Sequence, residues 1–211
     1  TLASGSSGVA FFTVERKDGS TSWYGDRDNN PVANRPDGYV NSTASGKETF
    51  ALTWAQTRFQ DSTGNYIDYL YHENPNAVQG EHLLWSVRYT GRVALPGQST
   101  PANAPYAQIN FLYQTKPVSA QSKGYVAGGV VSQGHRLYAV QSESDGVVLR
   151  YYNLSSATSQ SGSGLDTLTS LQECRDNTLA VCASPTTFAW SGGKFEFATK
   201  EYPPNLPFGD I

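Results

Sequence analysis

Hydrophobic and polar positions alternate with period two along most of this chain, the pattern of strands that bury one face. In "HLLWSVRYTGRV", Leu83, Trp85, Val87 and Tyr89 fall on one face and Leu84, Ser86, Arg88 and Thr90 on the other. "YAQINFLY" sets Ala107, Ile109, Phe111 and Tyr113 against Gln108 and Asn110, and "TFALTWAQTRF" aligns Phe50, Leu52 and Trp54. The same reading predicts strands at "GVAFFTVER", "YIDYLY", "YVAGGVV", "RLYAVQ", "VVLRYY", "TLAVCA", "TTFAW" and "KFEFAT". Hairpin turns are predicted at Lys17-Asp18-Gly19, Asp61-Ser62-Thr63-Gly64, Asp145-Gly146 and Gly192-Gly193, because glycine supplies the positive φ that tight turns need.

One segment has helical spacing: in "GLDTLTSLQEC", Leu165, Leu168 and Leu171 recur every third residue, with Ser163 or Asp166 as the cap. Longer irregular stretches run over residues 25–38, 72–81, 94–105, 114–124 and 154–164. With no internal repeat and no dividing linker, the expectation is one all-β domain over residues 1–211. Its form would be an antiparallel barrel or sandwich of about 10–12 strands with long loops and at most one short helix.

Charge narrows the partners. Fifteen Lys and Arg stand against eighteen Asp and Glu, a net charge of −3 with no basic run, which argues against nucleic acid. No stretch approaches the ~18 apolar residues of a membrane-spanning helix, so membrane insertion is not expected. The start, "TLASGSSGVAFF", lacks the pattern of a signal peptide and there is no Met anywhere, so the chain reads as a fragment of a longer one. The cysteines, Cys174 and Cys182 in "CRDNTLAVC", fit either a disulfide in an oxidising compartment or two small buried thiols. They are too few for a structural zinc site.

The opening question for chemistry is the loop "GDRDNNPVANRPDG". Asp26, Asp28, Asn30 and Asp37 hold calcium-loop positions, but Pro31 replaces the required Gly. Asx-turn chemistry or a recognition surface are the other readings, and no metal is expected. His72, His82 and His135 show no metal spacing and no nucleophile motif, and read as solvated or satisfied polar residues. "AQINFLYQ" looks like the Gln-Ile-His strand of alginate-lyase jelly rolls, yet Asn110 stands where that family has its His and cannot act as a base. Asn41-Ser42-Thr43 and Asn153-Leu154-Ser155 match the glycosylation pattern and carry little weight in so Ser- and Thr-rich a chain. No cofactor is implied. Among 13 Tyr, 9 Phe and 4 Trp, Trp23 and Tyr24 beside the acidic loop are the expected exposed aromatics. With Asp26, Asp28, Asn30, Asn34 and Asp37 they form the expected binding surface.

"GVAFFTVERKDGSTSWYG" and "GVVLRYYNLSSATSQ", together with the length and the strand-and-loop pattern, resemble the projecting spike domain of astrovirus capsid proteins, the avian type among them. That resemblance implies a dimeric β-barrel on the virion surface that meets a host-cell receptor and neutralising antibodies and performs no reaction. It carries over no receptor-contact residue. A secreted, lectin-like carbohydrate-binding module is the alternative, followed by a polysaccharide-active jelly-roll enzyme. Dimerisation also has a physical argument, since a small barrel with this many aromatics has more apolar surface than it can bury alone.

Overall fold

The computed structural model describes residues 9, 11–25, 38–46, 50–73, 78–97, 99–158 and 166–190. Its strands in chain order are β1 (Phe11–Glu15), β2 (Thr21–Gly25), β3 (Tyr39–Asn41), β4 (Ala51–Trp54) and β5 (Gln56–Gln60). β6 (Asn65–Glu73), β7 (His82–Arg92), β8 (Ala107–Thr115), β9 (Ser122–Val126) and β10 (Gly129–Gln133) follow. The last are β11 (His135–Ser144), β12 (Val147–Thr158), β13 (Asp166–Cys174) and β14 (Thr186–Thr187). Ten of them form one antiparallel sheet in the order β1-β2-β5-β6-β7-β8-β11-β12-β13-β14, while β3–β4 and β9–β10 make two small sheets. The all-β antiparallel class stands. The large sheet ends on β1 and β14 and closes no barrel.

Three predicted turns are where the sequence placed them. Gly19 and Gly64 have φ of +81° and +92°, and Asp145 and Gly146 both lie at positive φ, +50° and +76°, as a tight two-residue hairpin requires. Asp61 organises its own turn. Its carboxylate accepts from the Thr63 and Asn65 amides at 2.9 Å each and from both side chains. Slight burial works to raise its pKa, but the hydrogen bonds from Asn65 and Thr63 outweigh it and hold the carboxyl below its ordinary value. Gly192-Gly193 and "KFEFAT" lie outside the described residues.

Four expectations change. The predicted helix is strand β13. Leu171 pairs with Leu154 and Leu168 with Ser156, and a register shift beside Ser155 and Ser156 leaves Thr169 unpaired. One extra residue lets a three-residue leucine spacing fit an extended chain. "YVAGGVV" is a hairpin, β9–β10, turning on Ala127 and Gly128 at φ +49° and +82°. "TFALTWAQTRF" divides at Ala55, whose amide bonds Gly38 and whose carbonyl accepts from Gly25. "TLAVCA" forms no strand and is tied back at Cys182, which bridges Cys174 by a disulfide.

The sheet is amphipathic. Cross-strand pairs place Phe59 with Ile67, Tyr69 with Val87, Val87 with Ile109, Phe111 with Val140, Val140 with Tyr152 and Leu154 with Leu171. The opposite phase carries Arg58, Asp68, Arg88, Gln108 and Glu143 in register across five strands. Arg58 grips Asp68 with two hydrogen bonds of 2.5 and 2.6 Å and lies 3.8 Å over the Tyr66 ring. Glu143 accepts from Gln108 and Gln141. Among the described residues the buried apolar side chains are Ala107, Ala120, Ala139, Tyr151 and Cys174. The larger residues of the apolar row are all half-buried.

Candidate functional site

Four neighbouring strands, β6, β7, β8 and β11, meet at one end of the sheet around a cavity of about 330 Å³. His72 comes from the end of β6, Leu83 and Trp85 from the start of β7, Phe111 to Tyr113 from the end of β8, and His135 and Tyr138 from the start of β11. The β9–β10 hairpin is inserted between β8 and β11, so it stands beside this end. It is fastened there by the Ser132 amide on the Gln79 carbonyl (2.9 Å) and by the Thr43 hydroxyl on the Val130 carbonyl (2.6 Å). Its tip is open to solvent, with Tyr125 78% exposed.

A buried pair holds the rim. Glu81 and His135 are each 4% exposed. One Glu81 oxygen accepts the His135 backbone N–H at 3.0 Å and the other contacts Nδ1 at 2.6 Å. An ionised carboxylate only accepts, so Nδ1 carries the proton and Nε2 faces the Thr115 hydroxyl at 3.4 Å. Gly134 makes the close approach possible, because a Cβ there would stand 2.7 Å from a Val78 methyl. Base and orienting acid are therefore together, but 3.4 Å is a long separation for activating the Thr115 hydroxyl.

The walls are aromatic. The His72 and Trp85 rings lie 4.7 Å apart at 37°, and desolvation lowers the His72 pKa, favouring the neutral imidazole. Tyr113 donates its hydroxyl to the Leu84 carbonyl at 2.9 Å, and burial, with the Glu81 charge second, raises its pKa. Nearby, Tyr71 stacks on His82 at 4.6 Å and donates to the Gln56 carbonyl. Burial foremost, then Tyr69, pushes its hydroxyl up to about 12.

The sequence pointed elsewhere for binding. Trp23 and Tyr24 are half-buried in β2, with Trp23 opposite Thr13 and Arg58, and neither lines the cavity. Asp26, Asp28, Asn30, Asn34 and Asp37 lie outside the described residues. Asn110 accepts from Ser86 at 2.9 Å, as part of the polar side of the sheet. Asn153 lies within β12, paired with Ala139 and Gln172. His135 is the satisfied polar residue expected of it, though its partner across the chain was not foreseen. The only sequence cue was position, with Glu81 immediately before one strand and His135 opening another.

Among the described residues no group of three His, Cys, Asp or Glu could hold a metal ion, and no helix is long and apolar enough to cross a membrane.

No protein-family model matches the chain, and no curated protein matches it in sequence. Solved structures share its fold. TcdB2-TccC3 superposes with a TM-score of 0.61 at 14% identity, over 85% of this chain and 10% of that one. TcdB2-TccC3-Cdc42 gives 0.62 at 14% identity, over 88% and 10%. The N-terminal domain of effector protein SpvB from Salmonella typhimurium strain LT2 gives 0.58 at 14%, over 82% and 63%. At such identity the likeness is one of fold alone. The chain spans about a tenth of the TcdB2-TccC3 chains and less than two thirds of the SpvB one.

Proposed function

We propose that this chain is a non-enzymatic recognition module of a longer, exported polypeptide, an open antiparallel sheet that offers its cavity-bearing end to a host-cell surface. The observation that carries the reading is the engagement of Glu81. Both its oxygens bind His135 in a buried setting, which ties the loop before β7 to the start of β11, and the Thr115 hydroxyl facing Nε2 lies at 3.4 Å, long for an activated nucleophile. The fold's occurrence as a small part of much longer chains supports a modular role. Between the two settings expected from the sequence, virion surface and secreted, the Cys174–Cys182 bridge favours the second, because disulfides persist in oxidising compartments.

The capsid-spike form of this reading, a homodimer meeting a receptor and antibodies, has one observation on its side. Val147, Leu149, Val181 and Trp190 are exposed near the β12–β14 end, surface that a second copy would cover. Fluorescently labelled full-length chain, applied to cultured cells, should bind saturably and show no turnover of neutral or acidic polysaccharides. Turnover that disappears in His135→Ala would replace this reading with an enzymatic one.

A further inference from the structure

We infer that the cavity between β6, β7, β8 and β11 is a subsite for one neutral sugar ring, with Trp85 and Phe111 as its apolar wall and His72 as the group that reads a hydroxyl. This inference rests on the recognition reading above and gives it a ligand class.

Size sets the first limit. About 330 Å³ lies at the small end of ligand cavities and admits one ring rather than an extended chain. Charge sets the second. None of the lining side chains is Lys, Arg, Asp or Glu. The Glu81 carboxylate behind them is already matched by His135. An anionic ligand would lose its hydration here with no cation to meet it and with the Glu81 charge, felt at Tyr113, against it.

Hydrogen-bonding capacity sets the third limit. The His72 imidazole and the Tyr138 hydroxyl have no hydrogen-bond partner among the described residues, whereas the Tyr113 hydroxyl proton is committed to Leu84. A neutral imidazole offers one donor and one acceptor, and sugar hydroxyls can meet both. The ring's C–H face would lie against Trp85 and Phe111, the amphipathic match that aromatic side chains give. A phenylalanine side chain from a protein partner could fill the volume but would make no hydrogen bond to His72.

The test uses the full chain with methyl glucoside, methyl galactoside and N-acetylglucosamine, and with glucuronate and sialic acid as charged comparisons. Saturation-transfer NMR should detect at least one neutral glycoside binding with a Kd on the order of 1 mM. His72 is on the rim and exposed, so His72→Ala should fold normally and weaken binding roughly tenfold. His72→Gln, which keeps a donor and an acceptor, should restore most of it, and Trp85→Phe should weaken binding while the fold is retained. No neutral glycoside bound at about 10 mM, tighter binding of the charged sugars, or an affinity unchanged in His72→Ala would each overturn the inference. Saturable cell binding with no glycoside binding would sink the sugar assignment alone. Glycoside binding without cell binding would sink the host-surface reading and leave the subsite standing.

Discussion

Glu81 and His135 are 54 residues apart and form a buried hydrogen-bonded pair. Removing the acid takes away the acceptor shared by the His135 backbone N–H and its imidazole N–H, in a place water hardly reaches. Breaking such a pair from one side costs more than the pair contributes, since the remaining group keeps its desolvation penalty. Glu81→Ala should therefore lower unfolding stability by about 3 kcal/mol in urea titration. A loss below about 1 kcal/mol would show that the contact is solvated in solution. His72 offers the contrast at the same scale. Its ring stacks on Trp85 and its imidazole makes no hydrogen bond to another described residue, so its replacement should alter binding and leave stability nearly unchanged.

Elements answer to their neighbours as much as to their own sequence. β13 carries leucines at a helical interval, yet pairing with β12 and the extra residue at Thr169 hold it extended, in keeping with its threonines Thr167 and Thr169, whose branched side chains favour strands. The strand ends at Cys174, and the bridge to Cys182 fastens the otherwise irregular residues 175–181 against it. Closing so short a loop restricts the unfolded chain modestly, and the loop-entropy estimate is about 2.5 kcal/mol. Replacing both cysteines by serine should lower stability by that order without changing the strand content seen by circular dichroism. No change in the unfolding midpoint between oxidised and reduced protein would argue that the bridge does not form.

At the scale of the whole molecule, a ten-stranded open sheet leaves its large apolar residues half-covered. Val147, Leu149, Val181 and Trp190 are exposed near one edge, Trp190 by 63%. Surface of this kind is normally hidden by another subunit or another part of a longer chain. For the chain alone, self-association is expected, with light scattering giving twice the 22.9 kDa monomer mass. A strict monomer at high concentration would argue against a homodimer and assign that edge to the remainder of a longer polypeptide.

Period-two alternation and glycine-bearing turns act between near neighbours in the chain, so the amino-acid sequence alone determined the β class, strands such as β7 and β8, and the turns at Asp18, Asp61 and Asp145. It could not determine which strands adjoin, because pairing depends on side chains distant along the chain. It also could not show that a bulge turns the leucine spacing of β13 into a strand, since bulges are set by the partner's register. The cavity depends on that same long-range order. His72, Trp85, Phe111 and His135 belong to four separate strands and share a site only because β6, β7, β8 and β11 lie side by side.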